Sequence, residues 1–590
     1  MRIEGITILV FCMLSLSACS MQKQESEPSS ETSHSDTGNG HILGLNFSDV
    51  TEVAGLGGFS YENGQTPRKL FPESMGSGGG FIDYNNDNWE DILLVGGGPL
   101  ESGSERIVPA VSLYHNNRDG SFTLVNKETG LDEIVNTYSH GIAVADYDND
   151  GDQDFYLTTL YENMLFNNDN GTFREIGQEA GVTGPPEWSS SAVFFDADND
   201  GWPDIYHGNF IAWSTETELF CSLDGVTKTY CTPELYKGIP GRYYHNNGNG
   251  TFTEQTKEAG FITSPGKTLG VAVFDYNRDG WQDIFVSNDT QPDLLYENNG
   301  DGTFSEKGAL SGIAYDENGR ARAGMGIDIG IVDKTCEPTL FVGNFSKEMI
   351  GVFQYIGNSI FIDRAALSRI GKSTLRTLTF GLFLFDVDLD GDLDLFAANG
   401  HVHTDVAVTQ EGITYREPPH LFINDGAGNF QDIGEAVGGP MQKLIVGRGT
   451  AYADYDHDGD LDILVTDNSG PAHLWRNDLS NGAHYLRVKL SGHEHNRDAF
   501  GTEVTAVNAG QHMHRMIRTG SSFLSSFEKT LTFGLGEAIT LDSLIIHWND
   551  GHKQIFTNVP ADQQITVHYD QTTIAFNDRQ SNEVTISNEY

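Results

Sequence analysis

Between about residues 77 and 477 one phrase of hydrophobic and polar positions keeps returning. A short apolar run leads into an aspartate-rich loop, a second apolar run follows, and an aromatic-Asn-Gly stretch closes the phrase. It reads GGGFIDYNNDNWEDILLV, GIAVADYDNDGDQDFYLT, SAVFFDADNDGWPDIYHG, GVAVFDYNRDGWQDIFVS, GLFLFDVDLDGDLDLFAA and GTAYADYDHDGDLDILVT. The first loop aspartate falls at 83, 146, 196, 275, 386 and 454. Between the fourth and fifth phrases lies GMGIDIGIVDKTCEPTLFVG, which keeps the apolar runs but has lost the acids, so the units number seven. Apolar runs this short, bounded by turn residues, predict strands rather than helices. The trailing segments LYHNNRDGSF, LFNNDNGTF, YYHNNGNGTF, LYENNGDGTF and LFINDGAGNF set Asn-Gly or Asp-Gly between apolar runs. These are hairpin signals, because both residue types tolerate positive φ.

Each unit therefore supplies about four strands at a spacing of roughly 50 to 80 residues, and repeats of four-stranded sheets close radially into a β-propeller. The expected fold is all-β, with a seven-bladed propeller over residues 44–478. Closure requires the chain ends to meet. The segment Leu45 to Thr51 reads as the last strand of a unit, whereas the final unit stops after Leu474-Trp475-Arg476-Asn477. The N-terminal strand is thus predicted to complete the last blade. A longer gap between the third and fourth loops predicts an insertion at about 209–240, projecting from one face. After residue 479 the segments HYLRVKL, GTEVTAVN, HMHRMIR, KTLTFGLG, SLIIHWND and QQITVHY alternate without aspartate loops. They predict a separate small antiparallel β-domain over 479–570, with residues 571–590 disordered.

The loops carry the chemistry. Each has the form Asp-x-Asp/Asn-x-Asp-Gly/Asn-x-x-Asp, and four positions offer side-chain oxygens. These are Asp83, Asn85, Asp87 and Asp91, then Asp146, Asp148, Asp150 and Asp154, then Asp196, Asp198, Asp200 and Asp204. The remaining sets are Asp275, Asn277, Asp279 and Asp283, Asp386, Asp388, Asp390 and Asp394, and Asp454, Asp456, Asp458 and Asp462. Calcium takes six to eight oxygen ligands in a flexible shell, and alternate residues of a tight turn can aim three of them at one point. Position six must take positive φ, hence Gly151, Gly201, Gly280, Gly391 and Gly459, with Asn88 in the first loop. An EF-hand would close with Glu at position twelve between helices; here the closing acid is at nine and strands flank the loop. Six such loops in register predict six calcium sites, since a turn alone has no need of acids that repel at close range. The loop resembles that of FG-GAP repeats in integrin α-subunit propellers. The degenerate unit presents Ile331, Asp333, Thr335 and Thr339, with Cys336 at the glycine position, and is expected to fold without a metal.

The formal net charge of −49 agrees with this reading and argues against nucleic-acid or anionic-lipid partners, which need Lys and Arg to displace counterions. The chain begins with Arg2, an apolar stretch from Ile6 to Leu16, and Leu16-Ser17-Ala18-Cys19. The stretch is too short for a permanent span. Its end resembles a bacterial lipobox, which implies a signal peptide over 1–18, lipidation at Cys19, and a flexible tether over 19–43 rich in Ser, Glu and Thr. Ser20 implies sorting to the outer membrane. The expected location is the cell envelope, with membrane contact through the anchor. Such a compartment permits a disulfide between Cys221 and Cys231 and leaves Cys336 as a buried free thiol.

The C-terminal segment is more specific. Asn496-Arg497-Asp498-Ala499-Phe500-Gly501-Thr502, Gly520-Ser521-Ser522-Phe523-Leu524-Ser525-Ser526, Phe533-Gly534-Leu535-Gly536 and Trp548-Asn549-Asp550-Gly551 resemble the ASPIC/UnbV domain, with Trp-Asn-Asp-Gly where that family has Trp-Pro-Ser-Gly. Gly324-Met325-Gly326 and Ala398-Asn399-Gly400-His401-Val402 also resemble the bacterial relatives of cartilage acidic protein 1. The resemblance implies an extracytoplasmic calcium-binding propeller without established catalysis. We expect a binding, adhesion or scaffolding module for protein or glycan; the alternative is an envelope enzyme or its accessory with an axial site. His401-x-His403 could hold a transition metal, but a loop-capping role is the expectation because no third ligand is evident. The residues six before the first position of each loop, Ser77, His140, Ser190, Leu269, Met325, Phe380 and Arg448, should ring the central channel. His140 and Arg448 make that ring a candidate ligand mouth.

Overall fold

The computed structural model describes residues 42–100, 107–222, 225–262, 265–571 and 573–576. Seven four-stranded antiparallel sheets follow one another along the chain. Blade two shows the plan: Ser139–Ala145, Asp154–Thr159, Met164–Asp169 and Thr172–Glu175 pair in sequence order. The innermost strands are Gly79–Ile82, Ser139–Ala145, Ser189–Phe195, Thr268–Phe274, Ile327–Ile331, Thr379–Phe385 and Gly447–Ala453. Each touches the next, and the seventh touches the first, so the sheets close into a ring. These strands lie between neighbouring blades and are apolar on both faces; Ser139–Ala145 is buried at every position. Between blades one and two, Ile82, Leu93 and Leu113 pack with Ile142, Val144, Phe155 and Leu157.

The ring is closed by the N-terminus. Phe47–Asp49 pairs antiparallel with Ala472–Asn477, placing Phe47 opposite Asn477 and Asp49 opposite Trp475. The insertion runs from Asn209 to Arg242 and holds a small ribbon, Cys221–Ser222 against Lys228–Thr229. Cys221 and Cys231 are joined by a disulfide. Aromatic rings gather where the insertion meets the ring: Tyr236 stacks on Phe71 at 5.3 Å, and Phe210 meets Trp188 edge-on at 5.3 Å. Cys336 is free, but it is half-buried rather than buried.

Residues 484–576 form two four-stranded sheets. One orders Leu531–Gly536, His484–Ser491, Gln563–His568 and Ile574–Phe576; the other orders Gln511–Met516, Glu503–Asn508, Thr540–His547 and Lys553–Pro560. Three expectations are corrected here. His484–Ser491 and Gln563–His568 run parallel, so the domain is not purely antiparallel. Residues 574–576 form a strand rather than a disordered tail. Finally, this domain is not separate, because it joins the propeller in one compact unit.

The cause of that union is a finger, residues 518–528, which enters the hub of the ring. Gly520 bridges Ala272, Ser522 bridges Ile327, and Ser526 bridges Gly80. Ile142 N donates to Leu524 O at 3.2 Å, and Leu524 N donates to Ser191 Oγ at 3.1 Å. Phe523 and Leu524 sit at the apex, buried against Leu269, Met325 and Phe380. Small residues stand five before the first position of each loop, Gly78, Gly141, Ser191, Gly270, Gly326, Gly381 and Gly449, and those at Gly78 and Gly141 leave room for Leu524. A Cβ on Gly78 would lie 1.6 Å from Leu524 O, and one on Gly449 would lie 2.6 Å from Ser525 Oγ.

Candidate ion sites at the propeller–cap interface

Each aspartate loop joins the inner strand of its blade to the second strand. In loop two, Asp146 accepts backbone N–H bonds from Asp150 at 3.0 Å and Gly151 at 2.9 Å. Gly151 has φ 102°, and Asn88, its counterpart in loop one, has φ 65°. Position four is left-handed as well, at Asn86, Asn149, Asn199, Arg278, Leu389 and His457. Asparagine at three of these positions tolerates positive φ, whereas Arg278, Leu389 and His457 carry no such sign.

The ninth acid is held by an asparagine on the third strand. Asp154 accepts from Asn168 N at 2.7 Å, Asp204 from Asn246 N at 2.7 Å, and Asp394 from Asn424 N at 2.8 Å. The same asparagine then reaches across to the preceding blade. Asn168 Nδ2 donates to Tyr84 O at 2.8 Å, Asn246 to Tyr147 O at 2.9 Å, Asn298 to Ala197 O at 2.7 Å, and Asn477 to Val387 O at 3.1 Å. Each loop is thereby tied to its neighbour. The asparagine recurs in every hairpin segment, where a turn already accounted for it.

The loops gather oxygen donors. Asp146, Asp148 and Asp154 bring one ligand atom each within 4.8 Å of one another, as do Asp386, Asp388 and Asp394, and Asp454, Asp456 and Asp462. In loop three the grouping is Asp198, Asp200 and His245. Several carboxylate oxygens are buried without a hydrogen-bond partner, among them Oδ2 of Asp91 and Oδ1 of Asp148, Asp196, Asp386, Asp388 and Asp456. Buried polar atoms are normally paired, so these lone pairs could serve as ligands to a cation. Burial, with neighbouring acids adding to it, pushes Asp91 up to about 9 and Asp146 and Asp386 up to about 8. Asp154, Asp283, Asp394 and Asp462 are raised well above the ordinary range for the same reasons. In blade five, Asp333 instead has both oxygens engaged, by Thr335 N at 2.8 Å and Gln354 Nε2 at 3.0 Å.

The C-terminal domain caps the face that carries these loops and touches their first acids. Arg487 lies 3.1 Å from Asp454, Gly534 N donates to Asp386 at 2.8 Å, and Asn549 Nδ2 donates to Asp196 at 3.1 Å. Gln282, at position eight of loop four, accepts Asp196 N at 3.0 Å from the preceding blade, and Gln153 accepts Asp83 N at 3.3 Å. Blade three has Pro203 at that position, and the cap's Asp498 accepts Asp146 N in its place, at 2.7 Å.

The candidate mouth is a correction. Ser77, His140, Ser190, Leu269, Met325, Phe380 and Arg448 do ring the hub, but all are buried. The finger occupies the hub, where Phe523 and Leu524 share one buried cluster with Tyr138, Trp188 and Phe210. Arg448, 0 % exposed, lies over the Phe380 ring at 3.9 Å and donates to the carbonyls of Gly400, Gly447 and Ser74. His140 stacks on Trp188, and burial pushes it down to about 4. His401 Nδ1 accepts the His403 backbone N–H at 3.0 Å, a local cap. The signal peptide, Cys19 and nearly all of the tether lie outside the described residues.

A ring of seven sheets with acidic turns on one face, sealed by a β-domain that plugs its hub, defines a capped propeller with candidate ion sites. The chain belongs to the FG-GAP-like repeat proteins that carry a C-terminal ASPIC and UnbV domain. The repeat family matches residues 83–157, 158–207, 238–286, 275–330 and 398–465, and ASPIC and UnbV matches residues 492–574. The chain is similar to cartilage acidic protein 1 of Xenopus tropicalis, 24% identical over 446 residues, with 72% of this chain and 63% of that protein covered. It thus spans just under two thirds of that relative's length. The Homo sapiens protein is 24% identical over 542 residues, covering 81% of this chain and 77% of its own length. Among solved structures, the BP39L lectin of Burkholderia pseudomallei aligns with TM-score 0.39 at 10% identity, over 69% of this chain and 96% of that one. An Agrocybe aegerita lectin that recognises terminal N-acetylglucosamine gives 0.35 at 16% identity, over 66% and 85%. At such scores these likenesses add nothing to the sheet topology.

Proposed function

We propose that this chain is an extracytoplasmic calcium-binding propeller, anchored to the envelope through Cys19, that serves as a binding or scaffolding module for a protein or glycan. The observation that carries the calcium reading is the set of buried carboxylate oxygens without partners in the loops. Calcium supplies what they lack, a hard divalent charge that accepts six to eight oxygens at about 2.3–2.6 Å. The six loops would hold it through their first, third, fifth and ninth residues. Ion binding would also brace the cap, which rests on the first acid of several loops. A filled hub weighs against the axial enzyme site of the alternative reading. A macromolecular partner suits the insertion better, where Phe220 and Leu235 are exposed apolar residues.

The test is metal analysis of the mature chain, stripped with EGTA and reloaded. About six calcium ions per chain are expected, and a chain that retains none would end the proposal. Anchoring is tested separately: Cys19→Ser should move the protein from the membrane to the soluble fraction.

A further inference from the structure

The loops are not chemically alike. The residue that precedes the bracing asparagine on the third strand varies, and in blade three it is His245. Its Nδ1 lies 3.1 Å from Asp204 Oδ1 and 3.9 Å from Asp198 Oδ2. Asp198, Asp200 and His245 each bring a donor atom within 4.8 Å of the others. In the same loop Asp196, 1 % exposed, leaves Oδ1 without a partner. No Lys or Arg forms an ion pair with these acids among the described residues.

Donors bound at about 2.1 Å stand roughly 3.4 Å apart around a tetrahedral ion, and roughly 3 Å (adjacent) or 4.2 Å (opposite) around an octahedral one. The two imidazole distances, 3.1 and 3.9 Å, fall in that range, the shorter being a hydrogen bond to Asp204 in this structure. Calcium is hard and prefers oxygen, whereas imidazole suits zinc-class ions. We propose that loop three holds a transition-metal dication of the zinc class, with His245 as a nitrogen ligand, in a ring whose other loops take oxygen-only coordination. The inference rests on the reading that the loops bind divalent cations.

Blade one supplies a built-in comparison. His115 occupies the equivalent position, 3.1 Å from Asp91. There, however, Asn85 replaces the second acid, Arg118 lies 2.9 Å from Asp87, and Lys489 lies 3.6 Å from Asp83. Those cations already offset the charge that would draw a zinc-class ion.

Cobalt(II) is the probe, because its visible absorption reports ligand type. The calcium-loaded mature chain titrated with cobalt(II) should take up about one equivalent, with X-ray absorption showing an imidazole shell. His245→Gln, which keeps a hydrogen-bond donor toward Asp204, should weaken that uptake by about 10- to 100-fold. His115→Gln should leave it unchanged. Absence of an imidazole shell in the wild-type chain, or uptake that His245→Gln does not alter, overturns the proposal. The absorption experiment needs no variant to fold. Calcium stoichiometry, measured alongside, separates failure here from failure of the general reading: calcium bound without cobalt sinks only this inference.

Discussion

At the scale of single residues, the bracing asparagine is the most informative side chain. Its backbone N–H satisfies the ninth acid of its own loop, and its amide spans to a carbonyl in the preceding blade, as Asn246 does to Asp204 and Tyr147. Asn246→Ala removes the buried donor and leaves the Tyr147 carbonyl unsatisfied. Such a loss costs about 1–3 kcal/mol, and a lower urea midpoint in the calcium-loaded chain is the expected outcome. An unchanged midpoint would show that the amide is replaceable by water. Blade five offers a natural counterpart: Tyr355 stands at the asparagine position and packs on Tyr276 at 5.4 Å. The blade that lost its acids thus also lost the residue that orients them. The acids were legible because four of them at fixed spacing have no turn-based explanation. The asparagine was visible too, but its place beside a hairpin already explained it.

At the scale of elements, the finger decides how cap and ring are joined. Strand rhythm, blade number and the closing N-terminal strand followed from the apolar pattern, since each is a local or repeating property. The plug did not, because Phe523 and Leu524 meet partners far away in sequence and their segment has no periodicity of its own. A signal was nevertheless present. Glycine stands five residues before the first loop position in blades one, two, four, five, six and seven, and serine in blade three. A strand-forming element has no use for repeated glycine unless another backbone approaches it. Leu524→Ala should cost about 2–5 kcal/mol, as for other buried leucines. Gly78→Val should block insertion outright. In both variants limited proteolysis is expected to cleave between residues 515 and 530, where the wild-type chain should resist. Equal resistance in all three would mean that the finger does not secure the cap.

At the scale of the molecule, the packed acids set a pH dependence of unusual sign. Without a cation, burial holds Asp91, Asp146 and Asp386 well above their ordinary value of 3.8, near 8 to 9. A carboxyl raised in the folded state stabilises the fold while protonated, and that contribution fades as pH climbs from about 4 to about 9. The EGTA-treated chain should therefore melt at a higher temperature at pH 5 than at pH 8. The calcium-loaded chain should not share this trend, because protons compete with the ion at low pH. Calorimetry at both pH values with and without EGTA checks the sign, and a chelated chain that is steadier at pH 8 would contradict it. The chain's two extremities raise a different issue. Strand Phe47–Asp49 has no partner until Ala472–Asn477 exists, and the hub has no filling until Phe523 and Leu524 arrive. Neither seam can form on a partly synthesised polypeptide, so assembly must wait for release of almost the entire chain. Contacts that distant in sequence slow folding. Until the last strands emerge, an open arc of sheets remains exposed to chaperones and proteases.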